Sequence, residues 1–307
     1  MKQSFRTSIG GQAVIEGIMM RGPELSALAA RKPNNEIALE TWNNPSNKAW
    51  YSKTPFIRGV FQMISSLIIG YKCLMKSASL AGFDDEEPSK FEKWLAAKLG
   101  KSISTIVSVF ALVTGLFLAL GLFAVLPTAL VGFIAKFLPS LVVRTMIEGV
   151  LKIAIFIIYI ALVSKMPDIK RVFMYHGAEH KTIFCYEQGL PLTVENVRKQ
   201  RRFHPRCGTS FIFIVLVISI LLFSVIPSHG LIARVALKSA LLPVVIGIAY
   251  EIIKFAGRHD NIFTRIISAP GMWMQCLTTN EPDDSQIEVA IASMNLVIPK
   301  EEGADVW

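Results

Sequence analysis

The sequence predicts an α-helical polytopic membrane protein. It should have about four transmembrane helices, an interfacial amphipathic helix, and a small mixed α+β cytoplasmic cap built from the N-terminal segment, the central loop and the C-terminal segment. Three observations predict this. Of the 307 residues, 52% are hydrophobic. The apolar residues are gathered into runs that approach or exceed the ~20 needed to cross a bilayer. The net charge of +9 is carried mainly between those runs.

Taken in order, Ile103–Leu126 ("ISTIVSVFALVTGLFLALGLFAVL") and Thr209–Ile226 ("TSFIFIVLVISILLFSVI") carry no charge. A soluble core helix is rarely apolar all round, so both are read as spans. Val142–Val163 is a span broken by Arg144, Glu148 and Lys152, which are spaced by four and so share one helix face. Charges inside a bilayer usually pair, which suggests an internal ion-pair ladder. Leu231–Ala256 is the fourth span, with Arg234, Lys238, Glu251 and Lys254 within it. Thr128–Leu138, between Pro127 and Pro139, is too short to cross and reads as a re-entrant or interfacial piece. In Phe56–Leu80 a polar stripe of Arg58, Gln62, Ser65, Ser66, Lys72 and Lys76 lies opposite Phe, Ile, Leu and Met. That pattern suits a helix in the headgroup plane, with a fifth span as the alternative.

Nine lysines and arginines lie between Lys165 and Cys207, whereas 127–141 carries only Lys136. Short basic loops stay in the cytoplasm, so both termini are expected there, in the inner (plasma) membrane. The cytoplasmic pieces are then 1–102, 165–208 and 257–307. The finer division is a β-rich segment (1–55), the amphipathic helix (56–80), a linker (81–102), two helices (103–164), a motif loop (165–208), two helices (209–256) and a C-terminal segment (257–307). The basic charge serves the lipid bilayer as partner, since no interleaving of basic and aromatic residues argues for nucleic acid. "MKQSFRTSIGG" lacks the apolar core of a cleaved signal, so the first spans should direct insertion. The four cysteines stand singly, three of them in cytoplasmic pieces, which argues against a disulfide framework. "IGGQAVIEGIMMRGP" and "NNEIALETWN" read as turn-punctuated strands, with tight backbone at Gly10, Gly11 and Gly17. "TTNEPDDSQIEVAIASM" reads as a helix start, with Ile287, Val289, Ala290, Ile291 and Met294 on its packing face.

Chemistry concentrates in "YHGAEHKTIFCYEQG", where His176-Gly-Ala-Glu179-His180 has the H-x-x-E-H order of inverted zinc metalloproteases. On a helix, residues four apart share a face. Two imidazoles can then reach one divalent metal, zinc foremost, while the neighbouring carboxylate addresses water. A further ligand is required, and Glu251, His204, Cys207 and Glu187 compete for the place. The structural alternative is a hydrogen-bonded loop in which Gly177 weakens the helix and Glu179 pairs with Lys181. In "FHPRCGTSF", a helix starting near Gly208 would offer an anion-binding end with Arg206 beside it. Cys207 would sit where thiolates are stabilised, three residues from His204, unless the segment is simply a helix start whose arginine contacts lipid phosphate.

"GGQAVIEGIMMRGP", "YHGAEHKTIFCYEQGLPLTVENVR", "HPRCGTSF" and "PGMWMQCLTTNEPDDSQIEVAI" together resemble the bacterial YqhQ-like family, an integral-membrane domain of unknown function. The likeness runs over nearly the whole chain in the same order. The family's label, predicted metal-dependent enzyme, implies a metal at the same histidine-rich loop. Two expectations follow. One is a membrane-embedded metal-dependent hydrolase, with His176 and His180 on the ion and Glu251 or His204 as third ligand. Glu179 would be its base, Arg206 with Gly208 would bind an anionic group, and Glu16 would complete the site. Its substrate would be a membrane peptide or a lipid-linked phosphate or ester. The other is a non-enzymatic assembly or stabilising factor, whose partner is another membrane protein.

Overall fold

The protein is described by a computed structural model covering residues 5–44, 50–83, 94, 103–138, 140–205, 207–224, 231–259, 261–301 and 303–306. Most of the expected linker, the end of the expected third span after Ser224, and Arg206 lie outside these residues. The chain divides into two compact units. One comprises 1–83, 159–218 and 242–307, and the other 84–158 and 219–241.

The first unit is organised by a four-stranded antiparallel meander: β1 (Gly10–Val14), β2 (Gly17–Arg21), β3 (Leu25–Arg31) and β4 (Ile37–Asn43), in the order β1-β2-β3-β4. Its register pairs Ala13 with Ile18 and Ile18 with Ala29, and on the opposite face Gln12 with Met19 and Met19 with Leu28. Because side chains alternate along a strand, these two sets point to opposite faces of the sheet. Both faces are covered. Ile18, Met20, Ala27 and Ala29 pack with Tyr175, Ala178 and Ile183, and with Ile287, Ala290 and Met294. Val14, Met19 and Leu28 pack with Cys73. The first group comes from α6 (Pro167–Glu187) and α11 (Asp284–Val297), the second from α2 (Ile57–Leu80). A short α1 (Trp50–Lys53) precedes α2. Burial on both faces explains why β2 and β3 lack a simple apolar-polar alternation. β3, "LSALAAR", is a strand although alanine and leucine favour helices. Here the small side chains are needed: a Cβ on Gly17 would lie 2.4 Å from the Ala29 carbonyl oxygen and 3.1 Å from the Ala30 Cβ.

Between α2 and α6 the chain forms α3 (Ile103–Leu120), α4 (Leu126–Ile134) and α5 (Leu141–Val163). After α6 come a short α7 (Val194–Arg198), then α8 (Gly208–Ser224), α9 (Leu231–Arg258) and α10 (Ile262–Thr278). Among the described residues, three helical stretches are long and apolar enough to cross a membrane: Val109–Phe137, Leu141–Val163 and Val235–Gly257. α8 is apolar over Ser210–Phe223 but shorter.

The second unit corrects the expectation of a separate re-entrant piece at Thr128–Leu138. α3 continues through a π-helical turn, Gly121–Val125, into α4 and a closing 3-10 turn, Ala135–Phe137. Pro127 cannot donate a backbone hydrogen bond, and its ring crowds the carbonyl four residues back. The wider π turn just before it accommodates both, so the helix is not broken. The expected charge ladder is also rearranged. Glu148 is buried and pairs with Lys152 (3.1 Å), but it also binds Lys238 of α9 and accepts from Thr128 Oγ1 (2.8 Å). Arg144 instead donates to the Leu138 carbonyl (3.1 Å). The close approach of α5 to α8 needs Gly149, whose Cβ would lie 2.5 Å from Ile220 Cγ1.

Replacing Glu148 strands the half-buried ammonium groups of Lys152 and Lys238, and breaking a buried pair costs up to about 3–5 kcal/mol. Glu148→Ala should therefore lower the melting temperature of the detergent-purified protein by many degrees. A melting temperature equal to the wild type's would show that the carboxylate does not hold these helices together.

Candidate metal centre

α6 is heavily buried, although its sequence is not apolar. Glu179, His180, Lys181 and Thr182 are consecutive, polar and all buried. Burying a polar group costs free energy unless it finds a partner, so such a run marks a constructed site. The helix starts with Pro167 in its first turn and Asp168 near its positive end. It ends before Gly189, which has φ 66°. Gly177 lies inside it for a steric reason. A Cβ there would sit 2.1 Å from the Asn280 carbonyl oxygen. Asn280 N donates to the Phe173 carbonyl (2.8 Å), so the strand-like segment after α10 lies directly against α6. Tertiary packing thus overrides the low helix propensity of glycine.

That packing orients the histidines. His176 Nδ1 is 2.8 Å from the Thr278 carbonyl oxygen, and His180 Nδ1 is 2.5 Å from that of Arg202. A carbonyl can only accept, so each Nδ1 carries the proton and each Nε2 presents a lone pair. Burial holds the His180 pKa below its ordinary value, which favours the neutral ring that this requires. His176 Nε2 is 3.1 Å from Cys207 Sγ. The ligand atoms of His176, His180 and Cys207 all lie within 4.8 Å of one another. Two imidazole nitrogens and a thiol sulfur at this spacing match a three-ligand zinc site with a fourth position left over. His176 and Cys207 are half-buried, and His180 is buried.

Glu179 stands between the two histidines and is 5% exposed. One side-chain oxygen is within reach of the Gly11 backbone N–H, and Oε2 has no partner among the described residues. Burial pushes its pKa up to about 7, with His176 and the Gly11 N–H opposing and the Cys207 sulfur adding. Gly11 is required here, because its Cβ would lie 2.9 Å from Glu179 Cδ.

The other sequence candidates fall outside the three-residue cluster. Glu251 is claimed by Arg58 (Nε 2.7 Å) and by the Phe56 backbone N–H (3.1 Å). His204 is buried behind the cluster, its ring centroid 5.6 Å from that of His180 and its Nε2 3.7 Å from Glu187 Oε2. Glu187 also accepts from Thr7 N (2.9 Å). Glu16, at the β1–β2 hairpin with φ 50°, is held by Arg171 and by Tyr175 Oη (3.1 Å). Lys181 binds Glu281 and the Arg198 carbonyl, not Glu179. Arg206 lies outside the described residues, so its anion-binding role has no structural counterpart here.

Gln275 was missed by the sequence reading. Its side chain accepts from His204 N and donates to His204 O, both at 2.7 Å, fixing the loop that carries Cys207. The available signal was a lone amide in the otherwise apolar "PGMWMQCL".

A family model described as "Protein of unknown function (DUF1385)" matches residues 54–300. The chain belongs to this family. It is 36% identical over 298 residues to "Uncharacterized protein YqhQ" of Bacillus subtilis (strain 168), covering 96% of this chain and 93% of that protein. No solved structure matches. The resemblance read from the motifs is therefore confirmed at the level of the DUF1385 family.

The cysteines offer a test of this packing. Burial raises the Cys73 and Cys185 thiols to about 11, far above neutrality, while Cys276 is exposed. A thiol that high is almost entirely protonated and unreactive at mildly alkaline pH. Brief iodoacetamide treatment at pH about 8, followed by peptide mass spectrometry, should spare Cys73 and Cys185, whereas the same treatment of unfolded protein should label both. Equal labelling of these two before and after unfolding would contradict the described core.

Proposed function

We propose that this protein is a membrane-embedded, metal-dependent hydrolase whose site faces the cytoplasm and acts on a membrane peptide or a lipid-linked phosphate or ester. The observation that carries the reading is the tethering of both histidine Nδ1 atoms to backbone carbonyls, which aims two Nε2 lone pairs at the Cys207 sulfur. Glu179 Oε2, beside the cluster, supports the reading as the buried carboxylate oxygen that has no partner among the described residues.

His176, His180 and Cys207 would hold a divalent cation, zinc before others given two nitrogens and a soft sulfur. Such an ion would supply Lewis acidity there. Glu179, buried beside the cluster with one oxygen unpartnered among the described residues, would serve as the group that accepts a proton and later donates it. Gly11 orients the carboxylate, and Gln275 steadies the loop that carries the thiolate.

The membrane topology rests on parity. The sheet, α6 and α11 share one core, so all three must lie on one side of a bilayer. Two long apolar stretches separate the sheet from α6, and α8 and α9 separate α6 from α11. An even number of crossings is needed in each interval. If Val109–Phe137 and Leu141–Val163 cross, α2 does not. If α9 crosses, α8 crosses with it, which gives four spans. α2 then lies in the interface, and it fits: Phe61, Ile64, Leu67, Ile68, Tyr71 and Met75 are exposed, while Cys73 and Ser77 face the protein. The basic loops support a cytoplasmic side for the shared core and both termini.

Elemental mass spectrometry of the detergent-purified protein tests the site. The wild type should carry near-stoichiometric zinc or another divalent metal. His176→Ala, His180→Ala and Cys207→Ser should each lose it by about tenfold or more, while Glu179→Gln should keep it. Absence of metal from the wild type after zinc incubation would leave the cluster as a structural cap and favour the assembly-factor alternative.

A further inference from the structure

α10 has its polarity reversed relative to a helix packed in a soluble protein. Its buried residues are Thr264, Ser268, Gly271, Met274, Gln275 and Thr278, mostly polar or small. Its outward residues include Ile262 (74% exposed), Phe263, Ile266 and Trp273 (72% exposed). At 100° per residue Ile262, Ile266 and Trp273 fall on one narrow stripe, with Phe263 at its edge. A helix surrounded by water would bury this face.

The inner face is committed to the candidate metal centre. Gln275 clamps the His204 backbone, the Thr278 carbonyl fixes His176, and Gly271 lets α8 approach so closely that a Cβ would lie 2.2 Å from Ser210 Oγ. α10 therefore cannot turn its apolar stripe inward without dismantling the centre.

Chain continuity says what covers the stripe. The apolar stretch Val235–Gly257 ends four residues before α10 begins, and an extended chain covers at most ~3.5 Å per residue. The capping box of Asn261 and Thr264 fixes the start of α10 there. If α9 crosses the bilayer, as the proposed function holds and on which this inference rests, α10 starts within the headgroup layer. An exposed tryptophan flanked by aliphatic side chains suits that layer, with the indole N–H near water and the ring against acyl chains.

We infer that α10 is a second in-plane membrane helix, with Ile262, Phe263, Ile266 and Trp273 inserted at the boundary between headgroups and acyl chains. The candidate metal centre, on its other side, is thereby held at the bilayer surface, where a substrate resident in the bilayer reaches it without leaving the lipid. The occupant of this surface is the lipid bilayer itself, rather than a second copy of the chain or another protein.

The test uses the full chain reconstituted in phosphatidylcholine–phosphatidylglycerol vesicles, with bromine placed on the acyl chains either near the headgroups or near the bilayer centre. The difference between wild type and Trp273→Phe isolates the emission of Trp273. It should fall by about half or more with the shallow bromines, less with the deep ones, and little with aqueous iodide. Ile266→Trp in the Trp273→Phe background should behave alike, one stripe position away. Quenching of both by iodide and not by bromine would overturn the inference, as a water-facing helix. Resistance to both quenchers would also overturn it, as a surface covered by protein. Phe117→Trp in the same background, on the exposed face of the Val109–Phe137 stretch, separates the two levels. If deep bromines quench it while Trp273 is spared, only the α10 inference fails. If no bromine quenches it, the spanning topology fails and the inference with it.

Discussion

The structure depends on one shared core assembled from three separated parts of the chain. The N-terminal sheet, α6 and α11 close around Ile18, Met20, Tyr175, Ala178, Ile287 and Met294. Burying these side chains contributes on the order of 2 kcal/mol each, and no one part could bury them alone. That single constraint brings "GGQAVIEG", "YHGAEHK" and the segment after α10 against each other. It also restricts how the chain can thread a bilayer, because pieces that share a core cannot be on opposite sides.

Within that core α6 is an exception to the rule that interiors are apolar, and the exception is where the chemistry lies. Glu179, His180, Lys181 and Thr182 are buried in succession; His180 and Lys181 are satisfied by groups from other segments, and Thr182 by the Ala178 carbonyl of its own helix. Two glycines make this possible. Gly177 lets a carbonyl-bearing strand come close enough to orient His176, and Gly11 lets a backbone N–H reach Glu179. In each case the absent side chain is what allows a polar group to find its partner.

Much of this was legible in the sequence, and the remainder was hidden for identifiable reasons. The long apolar runs, the amphipathic helix within Phe56–Leu80, the C-terminal helix and the pairing of His176 with His180 follow from periodicity and spacing. The continuity of the helix through Pro127 does not, because a π turn relieves the proline in a way that composition does not announce. β3 is less legible, since alanines suited to close strand approach look like helix formers. For the third ligand, His204 and Glu251 were as plausible as Cys207 by residue type. Only the fold separates them: His204 Nε2 faces Glu187 and Arg58 holds Glu251, while the Cys207 sulfur lies with both imidazoles. The outward apolar stripe of α10 was legible as a pattern, but its meaning depends on knowing that the opposite face is already occupied.

The central claim is that His176, His180 and Cys207 form one coordination shell, and cobalt substitution tests it most directly. Cobalt(II) added to metal-stripped protein should give the intense visible bands of a four-coordinate site together with a near-ultraviolet thiolate-to-cobalt transition. Cys207→Ser should abolish that transition while leaving weaker histidine-dependent bands. A cobalt spectrum of a six-coordinate, thiolate-free ion, identical in wild type and Cys207→Ser, would contradict the account.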